Sequence, residues 1–125
     1  MTQVLAVCKK FTFHAAHHDE EATDQCGQVH GHTYHLEIEV TGDFNERMLV
    51  HGNVLKDVYR EIEPFLDHRN LNDTCPYNPT MENVLLWLTD LVDAHIREPA
   101  PNVTAIRLRL WETPTMYAET RRIIS

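Results

Sequence analysis

The chain lacks any run of apolar residues approaching the roughly 18–20 needed to cross a bilayer, so no membrane span is expected. Its first residues do not form a charged-then-apolar leader, and no export signal is expected. Cysteine is scarce: Cys8, Cys26 and Cys75 cannot all pair within one chain, and no C-x-x-C occurs. That argues against a Cys-rich structural zinc knuckle. A reduced, cytoplasmic setting is expected, with thiols free for chemistry or for packing. Positive charge is also short. Eleven Lys and Arg face nineteen Asp and Glu, a net charge of −8 with neutral histidines. Such a balance argues against a nucleic-acid binder held by phosphate contacts. It still allows a small phosphorylated substrate in a local basic pocket. No linker, repeat or low-complexity stretch divides the 125 residues. One domain over 1–125 is expected, large enough for a core without staples.

Histidine is what the chain has in excess. Nine occur, and His14, His17, His18, His30 and His32 fall within nineteen positions. The hydrophobic pattern around them decides which can share a site. Residues 4–17 read as a strand in which Phe11, Phe13, Ala15 and His17 share one face. Residues 18–29 are polar and read as a loop. From His30 onward the alternation is clean, with His30, His32, Tyr34, Leu36, Ile38 and Val40 on one face and Thr33, His35, Glu37 and Glu39 on the other. This is the pattern of a half-buried antiparallel strand.

Val54, Val58, Ile62 and Phe65 recur at helical spacing behind an expected Asn53 cap, with Pro64 tightening the last turn. Residues 67–80 are rich in turn formers. A second helix is predicted over about 81–97, its stripe being Val84, Leu85, Leu88, Leu91, Val92 and Ile96. Strands follow at 103–112 and around 116–124. The order is ββααββ, predicting an α+β domain with a four-stranded antiparallel sheet and two helices on one face.

Catalytic zinc sites commonly use three protein ligands and leave a fourth position open. His30 and His32, two apart on a strand, point to the same side, and Gly31 between them adds no bulk. Parity nominates His17 as the third ligand over His14 and His18, while His35 falls on the wet face. An isolated H-x-H pair is equally well read as surface histidines at a strand start. Cys26 is either a small buried hydrophobe or a thiol set beside a cation. Asp67 and His68, directly after the first helix, are either a proton relay or a solvated pair. Glu112 closes an apolar strand face (Ile106, Leu108, Leu110), where it can take N–H donors from a heterocycle or reach solvent. Thr80 at the second helix start is a natural N-cap.

Taken in order, the motifs F-T-F-H-A-A-H (11–17), C-G-Q-V-H-G-H (26–32), L-D-H-R-N-L-N (66–72), P-T-M-E-N (79–83) and W-E-T (111–113) resemble the 6-pyruvoyl-tetrahydropterin synthase family. The short cysteine-to-histidine spacing and compact length resemble its bacterial-type 6-carboxytetrahydropterin synthase branch. The resemblance covers nearly the whole chain. It implies a tunnelling fold (T-fold) that assembles into homo-oligomeric rings with active sites at subunit interfaces. It implies Zn2+ on His17, His30 and His32, Cys26 as general base, and Asp67 and His68 as a relay. It also implies that Glu112, helped by Thr80 and Glu82, holds a pterin ring. The implied reaction is zinc-dependent conversion of 7,8-dihydroneopterin triphosphate to 6-carboxy-5,6,7,8-tetrahydropterin, acetaldehyde and triphosphate, in queuosine and 7-deazapurine biosynthesis. A lyase that stops at the pyruvoyl product, and a catalytically silent pterin-binding homologue, are the alternatives. One departure stands out: His51-Gly52 replaces the Asp-Phe common before the first helix. No motif fixes the triphosphate partners, for which Lys9, Lys10, Lys56, Arg69, Arg107 and Arg109 are all candidates.

Overall fold

In the computed structural model, which describes residues 3–44 and 48–124, the alternating patterns become a long hairpin. β1 (Gln3–His17) and β2 (His30–Phe44) pair antiparallel over their whole length, from Gln3 opposite Phe44 to His17 opposite His30. Helix α1 (Val54–Ile62) comes next, then β3 (Arg69–Asn70), the short α2 (Leu71–Thr74) and α3 (Met81–Ile96), and finally β4 (Val103–Thr113) and β5 (Met116–Ile123). The sheet order is β3-β1-β2-β4-β5. Four strands are antiparallel as expected. The fifth, β3, is a two-residue parallel partner of Ala15 and Ala16. A polar stretch this short carries no alternation to read, so β3 and α2 both lie inside what the sequence presents as a loop.

The helices cover one face of the sheet. Phe13, Tyr34, Leu36, Ile38, Leu108 and Leu110 point under them and are fully buried, against Ile62, Leu88, Val92 and Ile96 from the helices. Burying each such side chain stabilises the fold by roughly 1.5–3 kcal/mol before entropy is counted. On the opposite face Arg107 bridges Glu39 at 2.6 Å and Glu119 at 3.0 Å, and Arg109 meets Glu119 at 2.7 Å. The first half of β1 is exposed on both sides, with Val4 69% accessible, whereas the edge strand β5 alternates exposed residues such as Ile123, 68% accessible, with part-buried ones such as Ala118.

The start of α1 differs from expectation. Asn53 is itself helical in backbone (φ −93, ψ −10), and its side chain makes no capping bond. A side-chain cap needs an extended N-cap residue so that its oxygen can fold back on the first turn. Here backbone carbonyls do the work, with the Val54 N–H donating to the His51 carbonyl at 3.0 Å and the Asp57 N–H to the Asn53 carbonyl at 2.8 Å. His51 and Gly52 are exposed. The last turn tightens at Pro64 into a 3-10 turn over Glu63–Phe65, as the sequence predicts. No helix among the described residues is long and apolar enough to cross a membrane.

Candidate metal centre and its surroundings

The hairpin register brings the three nominated histidines together. His17 faces His30, and the partner of His32 is Ala15, whose small side chain leaves room on that face. The ring centroids lie 4.7 Å (His17–His30), 5.0 Å (His17–His32) and 4.8 Å (His30–His32) apart. One ligand nitrogen from each lies within 4.8 Å of the other two, so the three could hold a metal ion. Backbone carbonyls set two of the tautomers. The His17 Nδ1–H donates to the Pro79 carbonyl at 2.7 Å, and the His30 Nδ1–H donates to the Gln28 carbonyl at 2.7 Å. That leaves each Nε2 as a lone pair, the form that binds a metal.

Nε2 of His17 and Nε2 of His32 are both buried without a hydrogen-bond partner. Orphaned acceptors in a protein interior are costly, and a shared cation is the economical way to satisfy them. The donor set suits Zn2+, which takes imidazole nitrogen and accepts three protein ligands with one open position. Glu112 Oε1 sits 3.2 Å from His32 Nε2 and 4.0 Å from His17 Nε2, close but out of line for hydrogen bonds. Burial is the main cause holding the His32 ring below its usual range, against the pull of the Glu112 charge.

The other histidines go elsewhere, as strand parity requires. His14 Nδ1 meets Thr33 Oγ1 at 3.1 Å and His35 Nδ1 meets Thr12 Oγ1 at 2.9 Å, both on the face away from the helices. His18, just past the end of β1, turns to Asn72, whose Oδ1 accepts its backbone N–H at 2.9 Å.

Cys26 lies in a 3-10 turn (Gln25–Gly27) within the β1–β2 connection. Asp24 caps that turn by accepting the Cys26 N–H at 2.9 Å, and the Asp19 N–H donates to the Cys26 carbonyl at 2.8 Å. Gly27 is required there, since a Cβ would lie 2.4 Å from the Ala22 carbonyl oxygen. The thiol is exposed, and the Asp24 carboxylate beside it pushes its pKa up, with partial burial and Glu112 adding to the rise. A cavity of about 250 Å³ is lined by Cys26, His17, His30, Thr80, Glu82 and Glu112, together with Asp19, Met81 and Met116. Thr80 also caps α3, accepting the Asn83 N–H at 3.3 Å.

Asp67 and His68 do not reach that cavity. His68 lines a second, larger cleft of about 540 Å³ whose wall includes His14, His32 and Arg69, and Asp67 is bonded to His14 and His68 of that wall. Asp67 Oδ1 accepts the His14 N–H at 2.9 Å, and its Oδ2 accepts from His68 Nδ1 at 2.9 Å. The His14 N–H and the His68 ring hold the Asp67 carboxyl below its ordinary range. His68 itself has φ 59, the only positive φ of a non-glycine residue among those described, and its N–H donates to the His14 carbonyl at 2.6 Å. What the sequence could not show are the supports. The Pro79 and Gln28 carbonyls have no side-chain signature. Asn78, which accepts the Glu20 N–H and donates to Asp19 at 2.9 Å, looks in sequence like an ordinary turn residue.

A sequence profile described as 6-pyruvoyl tetrahydropterin synthase matches residues 6–122. The chain is 37% identical over 102 residues to the dihydroneopterin monophosphate aldolase of Pyrococcus furiosus, covering 81% of this chain and 83% of that one. It is 33% identical over 106 residues to the 6-carboxy-5,6,7,8-tetrahydropterin synthase of Bacillus subtilis, covering 78% of this chain and 70% of that one. Its fold matches 6-pyruvoyl tetrahydropterin synthase from Caenorhabditis elegans with a TM-score of 0.80 at 21% identity, over 96% of both chains. It also matches a catalytic-residue mutant of the Plasmodium vivax enzyme at 0.81 and 17% identity, over 98% of this chain and 99% of that one. With the profile spanning nearly its whole length, the chain belongs to the 6-pyruvoyl tetrahydropterin synthase family and has its T-fold.

Proposed function

We propose that this protein is a zinc-dependent 6-carboxytetrahydropterin synthase. It would act on 7,8-dihydroneopterin triphosphate and water, giving 6-carboxy-5,6,7,8-tetrahydropterin, acetaldehyde and triphosphate for 7-deazapurine (queuosine) biosynthesis. The observation that carries this reading is a cavity lined by His17, with its buried unpartnered Nε2, and by His30, Cys26 and Glu112, with the unpartnered Nε2 of His32 3.2 Å from that same Glu112. A zinc ion held by His17, His30 and His32 would supply Lewis acidity at the substrate's side-chain oxygens, acidifying the neighbouring C–H.

Cys26 is the base that takes the carbon-bound proton, and a cation held by the histidines would oppose the upward push of Asp24 on its thiol. That role needs a free thiol, which is why a reducing cytoplasmic setting is part of the reading. Glu112 and Glu82 accept N–H donors from the pterin ring, with Thr80 fixing the α3 start beneath it. His68, with Nδ1 tied to Asp67, presents Nε2 as the end that exchanges protons. In a single chain His68 of this dyad lines a different cleft from Cys26. That separation, with the exposed first half of β1 and the edge strand β5, supports a homo-oligomer in which one copy's dyad completes another copy's site.

The 37% identity to a dihydroneopterin monophosphate aldolase supports a second reading, in which the same residues cleave the monophosphate without eliminating phosphate. His51 and Gly52 border neither cavity, so nothing there favours a silent homologue. Metal-analysed protein incubated with each substrate tests the set. Acetaldehyde and triphosphate from the triphosphate support the synthase. Triphosphate released without acetaldehyde supports the pyruvoyl product. Cleavage of the monophosphate alone supports the aldolase, and no turnover of either sinks all three.

A further inference from the structure

The cleft beside His68 has a wall unlike the rest of this acidic chain. It contains Arg69, His14, Thr33 and Asn70, and among the described residues no carboxylate lines it. We propose that this cleft binds the phosphoryl end of the substrate, with Arg69 as its cation; the proposal rests on the reading of a phosphorylated pterin as substrate.

Arg69 is distinguished from the other cations by what it lacks. Arg97, Arg107, Arg109 and Arg122 are each tied to a carboxylate. Lys10 lies 4.6 Å over the Trp111 ring and Lys9 5.9 Å over Phe11, and Lys56 is exposed on α1. Among the described residues Arg69 is in no ion pair, and Arg60 and Arg121, which also have none, line no part of the cleft. The Arg69 Nε–H donates to the Pro64 carbonyl at 3.0 Å, which fixes the guanidinium and leaves its two terminal nitrogens for an anion. A planar, anchored guanidinium is well suited to phosphate.

The neighbours supply neutral donors. If Thr33 donates to His14 Nδ1, the ring keeps an Nε2–H; if the ring donates, the Thr33 hydroxyl proton is free. Either tautomer leaves one donor over. Asn70 Oδ1 is engaged by the Asn72 N–H at 3.0 Å, so its amide nitrogen is the end available to a ligand. Gly31 has no positive φ, and a Cβ there would touch only the Ala15 carbonyl oxygen, at an ordinary 3.8 Å. Backbone geometry therefore does not demand glycine at 31, and what glycine provides is room in the cleft. Because Arg69 follows His68 in the chain, the cleft accompanies the dyad to whichever copy's metal site that dyad serves.

The test is equilibrium binding by pterin fluorescence to full-length, zinc-loaded Cys26→Ala protein, comparing dihydroneopterin triphosphate with unphosphorylated dihydroneopterin. The ratio of the two affinities isolates the phosphoryl contribution. In the Cys26→Ala parent the triphosphate is expected to bind at least tenfold tighter. Adding Arg69→Gln should collapse that ratio toward one and leave dihydroneopterin affinity unchanged, while Lys56→Gln should change neither. Gly31→Val is an independent arm that keeps the Arg69–Pro64 bond and narrows the cleft; with zinc content verified, the same collapse is expected. An unchanged ratio in Arg69→Gln, or in Gly31→Val if Arg69→Gln does not fold, overturns the proposal while the pterin reading stands. Failure of the parent to bind either pterin overturns the pterin reading, and this assignment with it.

Discussion

His17 stands directly opposite His30 across the β1–β2 ladder, so two of the three metal-set histidines are a cross-strand pair and the third, His32, is one pleat away. The site therefore sits on the paired end of the β1–β2 ladder. His14, three residues before His17, is turned to the other face and bonded to Thr33. His32→Ala removes one of the three proposed ligands and is expected to drop metal content to near zero. His14→Ala is expected to retain the ion. Elemental analysis of both purified variants decides this, and equal loss in the two would show that face does not govern binding.

Cys26 and Asp24 share the capped 3-10 turn, and the carboxylate raises the thiol pKa. Cys26→Ala should keep its metal and lose roughly 10²–10⁴-fold in kcat, the usual worth of a positioned base. Asp24→Asn removes the negative charge that disfavours thiolate. The acid limb of the kcat/KM profile should then move to lower pH, because a thiol with a lower pKa ionises earlier as pH rises. A limb that stays in place, or moves up, would separate Cys26 from the titrating step.

Much of this was legible in the chain, for reasons that particular residues make plain. His17, His30 and His32 could be grouped because strand parity is a strict period of two, and Phe11, Phe13, Tyr34 and Leu36 mark the buried side. Cys26 could not be placed by any period, since it sits in a 3-10 turn fixed by Asp24 and by the close approach at Gly27. The location of Asp67 and His68 was equally hidden. It depends on the Asp67 carboxylate accepting the His14 N–H and on the His68 N–H donating to the His14 carbonyl, 53 and 54 residues away, and on a left-handed His68 that no composition rule announces. The Asn53 cap failed because the backbone there is already helical.

Asp93 ties α3 to the rest of the sheet's far edge. Its Oδ1 accepts from Arg97 Nε at 2.7 Å and its Oδ2 from Arg122 on β5 at 3.3 Å. The Arg97 bond is the main cause holding its carboxyl below the usual range. A carboxyl whose folded pKa is depressed adds stability that is fully present above its unfolded value, about 3.9, and is lost as pH falls through the lower folded value. Asp93→Asn should therefore cost roughly 0.5–1 kcal/mol at neutral pH, a part-exposed pair's worth. Urea midpoints taken from pH 7 down to pH 2 should show the two proteins converging below about pH 4. A gap that persists at pH 2 would mean that the loss comes from packing.

His68 is where function and backbone strain meet. Its φ of 59 belongs to the left-handed region, which costs an L-residue roughly 1–2 kcal/mol but which asparagine tolerates better than most. The strain is held by the His68 N–H to His14 carbonyl bond and by Asp67, which grips the His14 N–H from the other side. His68→Asn should consequently fold with a melting temperature equal to or above that of the parent. His68→Val, with a branched Cβ forced into the same conformation, should be destabilised by about 1–2 kcal/mol. Both remove the imidazole proposed to exchange protons, so on that proposal both should lose turnover. The comparison separates the residue's two constraints: melting temperature follows the backbone and kcat follows the ring. If His68→Asn melted well below the parent while His68→Val did not, the left-handed conformation would not be what the sequence is accommodating at this position.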